Sequence, residues 1–131
     1  MKVTVDTNVL VRAVVRDDVI QADKAAKVLR EAQLIAVSLP CLCEFVWVLM
    51  RVYSFAAADV AQAIRALLVA ENVQANRPAV VFGLALLEAG GDFADGIMAF
   101  EGAWLGANTF VSFDKKAVSL LKAQNQTCEL L

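Results

Sequence analysis

Met1-Lys2-Val3-Thr4-Val5-Asp6-Thr7-Asn8-Val9-Leu10 opens the chain and decides its architecture. Val3, Thr4 and Val5 are β-branched, so Met1 to Val5 reads as a short strand. Asp6 then breaks the apolar run, and a helix is expected from about Asn8 to Val15. A strand that feeds a helix through a short polar junction is the building unit of α/β folds. The same junction recurs near the end of the chain. Thr109 to Ser112 is the clearest strand after the first, Asp114 follows it, and Lys115 to Ala123 reads as a short helix.

Between these two junctions the pattern is mostly helical. Ala22 to Leu34 places Ala22, Ala25, Ala26 and Leu29 at helical spacing. Leu34 to Val37 is a second strand candidate. Pro40 opens a helix whose apolar stripe is Leu42, Phe45, Val46, Leu49, Val52 and Tyr53, with Glu44 off that stripe. Asp59 to Val69 and Pro78 to Glu88 are further helices, and Gly90-Gly91 stops the second of them. Phe93 to Leu105 carries Phe93, Ile97, Phe100 and Trp104 on one side. Asp95, Ala99, Gly102 and Gly106 run down another side as a strip that a neighbouring element can approach closely. Thr127 to Leu130 reads as a last strand. Strands alternating with helices predict an α/β sandwich around a mostly parallel sheet.

Composition narrows the function classes. The 131 residues predict a single domain spanning residues 1–131. A hydrophobic content of 60% exceeds what one core needs and points to a buried subunit interface. The uncharged runs between Glu31 and Glu44 and between Glu101 and Asp114 are too short or too broken to span a membrane. Lys2 and Asp6 within the first apolar run argue against a signal peptide, so a cytoplasmic protein is the default. Cys41, Cys43 and Cys128 form no CxxC pair and are expected to be free thiols. There is no histidine. That excludes a histidine general base, a Ser-His-Asp triad and a histidine zinc site. The net charge of −2 gives no global basic field for nucleic acid.

Enzymatic chemistry therefore falls to the acids. Asp6, Glu44, Asp95 and Asp114 sit where strands end or helices begin. In an open α/β sheet that edge is the ligand-binding edge. Carboxylate oxygens are hard ligands suited to magnesium or manganese, which promote phosphodiester hydrolysis. Each acid also has a local structural explanation. Asp6 and Asp114 suit helix N-caps, and Asp92 with Asp95 suits a variant capping box. Glu44 complements a helix dipole, though its apolar flanks predict a desolvation cost. A metal site is the reading that explains all four together.

At these residues the chain resembles the PIN-domain ribonucleases, specifically the VapC-type toxins of bacterial toxin–antitoxin pairs. The resemblance rests on Val5-Asp6-Thr7-Asn8-Val9-Leu10-Val11-Arg12, Leu42-Cys43-Glu44-Phe45-Val46-Trp47-Val48-Leu49, Asp92-Phe93-Ala94-Asp95-Gly96-Ile97-Met98-Ala99 and Val111-Ser112-Phe113-Asp114-Lys115-Lys116. It covers essentially the whole chain, with the four motifs in the family's order. Ser112 replaces a common Thr and Gly96 a common Ala, and all four acids are present.

The resemblance implies a three-layer sandwich with a short, mostly parallel sheet flanked by helices. It implies one or two Mg2+ or Mn2+ ions held by Asp6, Glu44, Asp95 and Asp114, with Asp6 and Asp95 as principal ligands. It further implies an RNA substrate, a homodimer, and neutralisation by a VapB-type antitoxin. Hydrolysis by an activated water would leave a 5′-phosphate and a 3′-hydroxyl. Arg12, Lys115 and Lys116 are candidate phosphate contacts, while Thr7, Asn8 and Ser112 are candidate supports for the acids. Two rivals stand beside this reading. An aspartyl-phosphate enzyme wants a second Asp two residues after the first, where this chain has Asn8. A PIN-like module that binds without cleaving is marked by lost acids, and none is lost here.

Overall fold

The computed structural model describes all residues from Met1 to Leu131. Parallel strand pairing among seven helices makes the chain α/β. Its contacts gather into two compact units, Met1–Asn76 and Arg77–Leu131.

The first unit runs β1 (Lys2–Thr4), α1 (Thr7–Val15), α2 (Val19–Glu31), β2 (Leu34–Ala36), α3 (Leu39–Arg51), α4 (Ala57–Val69) and β3 (Val73–Gln74). Its three strands lie in the order β1-β2-β3, all parallel, with Val3 opposite Ile35 and Ile35 opposite Val73. The central Ile35 is fully buried, as expected where helices cover a parallel sheet. Phe45, Leu42 and Leu49 of α3 and Val60 and Ile64 of α4 fill the core. Ser38 caps α3 by accepting from the Cys41 amide at 3.3 Å, and Pro40 sits in the first turn, where its missing N–H costs nothing.

Three local expectations are corrected in this unit. α2 begins at Val19 rather than Ala22, because Asp18 caps it by accepting from the Gln21 amide at 3.1 Å. The α3 stripe stops before Val52, which is 60% exposed because the helix ends at Arg51. β3 was not anticipated. Two residues are too few for periodicity to show, and the segment is anchored by a side chain instead. Asn72 Nδ2 donates to the Leu29 and Ala32 carbonyls at 3.0 and 2.9 Å, satisfying acceptors left open at the end of α2.

The end of α1 is tied down by a polar cluster. Arg12 Nη1 donates to Asp17 at 2.8 Å and to the Tyr53 hydroxyl at 3.4 Å, and that hydroxyl donates to Asp17 at 3.0 Å. Asp17 is held below its ordinary value of 3.8, first by Tyr53 and then by Arg12. A depressed carboxylate adds stability that is present above its unfolded value and is lost as pH falls through the folded one. Tyr53→Phe is therefore expected to lower the melting temperature at pH 7. The difference from wild type should close in thermal melts below about pH 4.

The second unit runs α5 (Arg77–Glu88), α6 (Phe93–Trp104), β4 (Phe110–Ser112), α7 (Lys115–Ala123) and β5 (Cys128–Leu130). β4 and β5 pair in parallel, with Phe110 opposite Cys128. The strands thus form two small sheets, where the sequence reading expected one. Leu86, Ala99 and Leu121 form a buried cluster, with Phe82, Phe110, Leu120 and Cys128 packed on it. Gly90, at φ 97°, turns the chain after α5 in a conformation that other residues resist.

α5 and α6 cross closely through a glycine pair. A Cβ added at Gly96 would stand 2.9 Å from the Gly83 Cα, and one at Gly83 would stand 2.8 Å from the Phe93 ring. The close approach therefore runs through Gly83 and Gly96, not through the strip of Asp95, Ala99, Gly102 and Gly106. The apolar side of α6 also ends earlier than its spacing suggested. Phe93 and Ile97 are buried, Phe100 is half-buried, and Trp104 is 80% exposed. No helix in the chain is long and apolar enough to cross a membrane.

Candidate active site

Two of the four acids belong to the first unit. Asp6 directly follows β1 and is the N-cap of α1, its Oδ1 accepting from the Val9 amide at 3.3 Å. This leaves its second carboxylate oxygen outside the cap. Glu44 stands in the second turn of α3 and is exposed. The desolvation argument drawn from its apolar flanks therefore fails, since the helix turns those flanks inward and Glu44 outward. The two acids meet electrostatically at one thiol. Burial pushes the Cys41 thiol up, a Thr7 hydrogen bond opposes this, and the charges of Asp6 and Glu44 both push it further up. Thr7 is the buried polar residue of the chain, so its hydroxyl serves the Cys41 thiol beneath the acids. Asn8 is exposed in the first turn of α1 and borders a shallow apolar groove with Arg12 and Lys24. Arg12 is committed to Asp17 and Tyr53, as described above.

The other two acids belong to the second unit. Asp114 follows β4 and caps α7, its Oδ1 accepting from the amides of Lys116 and Ala117 at 2.9 and 3.1 Å. Ser112 Oγ accepts from the Asp114 amide at 2.9 Å, so this hydroxyl fixes the backbone that carries the acid. Lys115 and Lys116 are exposed in the first turn of α7. Cations are disfavoured at a helix N-terminus. Helix stability therefore does not account for two lysines there.

Asp95 lies in the first turn of α6, where a carboxylate suits the helix dipole but makes no capping bond. Asp92 caps α6 by accepting from the Ala94 amide at 2.8 Å, and no bond from Asp95 back to Asp92 completes a capping box. Asp95 is half-buried within the first turn of the helix. Its carboxyl is pushed above the ordinary 3.8, first by burial and then by the charges of Asp92 and Asp114. Asp92 is thus a third acid of this cluster, which the sequence reading had assigned to capping alone. The D-x-x-D spacing contained the signal, because one turn of helix brings the two side chains to the same face.

None of the four acids takes part in the Arg12–Asp17 or Arg16–Asp23 ion pair. No group of three or more carboxylate or thiol side chains stands close enough to hold a metal ion. In the first unit the charges of Asp6 and Glu44 act on one thiol, and in the second those of Asp92 and Asp114 act on Asp95. The donor chemistry fits a hard divalent cation. All four candidate groups are carboxylates, and around Asp95 negative charge is concentrated where burial already penalises it. No protein-family model matches the chain, and no curated protein matches it.

Proposed function

We propose that the chain is a magnesium- or manganese-dependent endoribonuclease with a PIN-like three-layer fold, acting in the cytoplasm as a VapC-type toxin. The observation that carries this reading is Asp95. A half-buried acid without a capping bond, pressed by Asp92 and Asp114, is costly unless a cation offsets the charge. Asp6 and Glu44 add a second carboxylate pair acting on one buried thiol. In this reading Asp6, Glu44, Asp95 and Asp114 hold one or two ions. When bound, such an ion activates water for attack on phosphorus and stabilises the departing 3′ oxygen.

The chain's own residues do the rest. Asp6 and Asp114 are fixed by their caps, so each presents a carboxylate without rotamer freedom to lose. Ser112 holds the Asp114 backbone. Lys115 and Lys116 draw the phosphate backbone toward the acids, a pull that weakens with salt. Self-association and capture by a VapB-type antitoxin are supported by large apolar side chains in solvent, among them Trp47 in the first unit and Leu105 and Phe113 in the second.

Thermal melts with and without Mn2+ test the metal reading apart from catalysis. A ligand at a hundred times its Kd stabilises the folded state by about 2.7 kcal/mol. The melting temperature is therefore expected to rise by several degrees with Mn2+ in wild type, and much less in Asp6→Asn or Asp95→Asn. An equal rise in all three proteins would instead support the module that binds without cleaving.

A further inference from the structure

The geometry points to a nucleobase-binding cleft on the second unit, two turns along α6 from Asp95, that takes one neutral heterocycle of the RNA strand. This rests on the ribonuclease reading and deepens it. The cleft is about 200 Å3, smaller than the roughly 300–1,000 Å3 of sites for drug-sized ligands. It has room for a single ring system and none for a run of nucleotides.

Its lining selects the ligand class. Asn108, Thr109, Asn125, Gln126 and Thr127 line it, and no charged side chain does. Phosphate would call for cations and a metal for carboxylates. Carboxamides and hydroxyls instead match the donor and acceptor edge of a base. The internal bonds leave the right groups over. Thr109 Oγ1 donates to Asn108 Oδ1 at 2.9 Å, so the Asn108 amide keeps its donors. Gln126 Nε2 donates to the Gln124 carbonyl at 3.4 Å, so the Gln126 oxygen remains an acceptor. Met98 and Ala99 supply an apolar wall for the ring face.

Gly102 is the independent observation. It lies in α6, where glycine costs about 1 kcal/mol relative to alanine. Gly96 in the same helix has a reason in the Gly83 backbone, but a Cβ at Gly102 would meet nothing within 4 Å. The chain's own packing does not ask for glycine there, and the open space belongs to the cleft. Gly102 lies seven residues beyond Asp95, about 10 Å along the helix. A stacked strand advances about 3.4 Å per nucleotide, which sets the recognised base roughly three nucleotides from a phosphate at Asp95.

The test is an NMR titration of the 15N-labelled full chain in EDTA with adenosine, cytidine, guanosine and uridine. The expected result is saturable amide shifts at Ala103, Thr109 and Thr127 with at least one nucleoside. Gly102→Leu, which fills the cleft, should weaken that binding at least tenfold with no loss of melting temperature. Asn108→Ala with Gln126→Ala should weaken it without filling the space. No saturable shift with any nucleoside, or unchanged affinity in both variants, would overturn the cleft. The titration needs neither metal nor cleavage. Base binding by a protein that cuts no RNA would therefore sink the ribonuclease reading and leave the cleft standing.

Discussion

Asp95→Asn is expected to cut metal-dependent RNA cleavage on the order of 100-fold or more while making the metal-free protein more stable at pH 7. The activity loss follows from removing a carboxylate ligand and its charge from the proposed metal site. The stability gain follows from the state of Asp95 in the folded chain. Its carboxyl is raised above 3.8 by burial, Asp92 and Asp114. With the folded value above the unfolded one, the folded chain binds the proton more tightly, so stability falls as pH rises from about 3.8 through the folded value. Above that value the penalty is fully present. The amide is isosteric and never charged, so it escapes the penalty. Melts in EDTA should show the variant above wild type at pH 7, with the gap closing toward pH 3.5. A purely structural carboxylate would show the opposite sign, because its loss would destabilise the fold at neutral pH.

Gly96→Val should destabilise the protein by about 2–3 kcal/mol or more. Helix propensity alone favours replacing this glycine, by at most about 1 kcal/mol for alanine and less for a β-branched residue. Overpacking opposes it and costs typically 1–3 kcal/mol. The nearest atom to the new Cβ is the Gly83 Cα at 2.9 Å, followed by Leu86 Cβ and the Phe82 carbonyl oxygen, both at 3.4 Å. The closest of these is backbone and cannot swing aside, so overpacking wins and the two branching methyls add to it. Gly102→Ala in the same helix is the control. Nothing lies within 4 Å of its Cβ, so propensity acts unopposed and stability should rise by about 1 kcal/mol. Urea melts of both variants give the two signs directly.

How much of this was legible in the chain differs by element. β1, α1 and the inner part of α3 follow from β-branching, from an acid at the strand end and from an apolar stripe at helical spacing. Their structures agree because local preference and burial point the same way. α2 was placed too late because Val19 and Ile20 are exposed and disturb the apolar phase, hiding the Asp18 cap. β3 is two residues anchored by the adjacent Asn72, which reaches carbonyls at the distant end of α2, and no local pattern encodes such an anchor. Division of the strands into two ladders also lies beyond local reading, since each junction looks the same wherever its strand pairs.

For the candidate site, the sequence singles out four acids, and the structure changes the local setting of two of them. Glu44 was favoured for its apolar flanks, yet it is exposed. The spacing of Asp92 and Asp95 suits a variant capping box, yet Asp95 is half-buried and makes no such bond. Burial of a single side chain depends on the neighbouring helix, and spacing along one helix does not report it. Arg12 shows the same limit. Its partners Asp17 and Tyr53 come from the turn after α1 and from the segment just past α3, and only the folded chain brings them together.

The most direct test of the ribonuclease reading is cleavage of total RNA by the purified protein in Mg2+, Mn2+ or EDTA, with the chemistry of the new ends determined. Cleavage is expected to require the metal, to disappear in Asp6→Asn and Asp95→Asn, and to leave 5′-phosphate and 3′-hydroxyl ends. Cleavage that persists in EDTA and leaves 2′,3′-cyclic phosphates, or folded wild-type protein that cuts nothing in either metal, would contradict that reading.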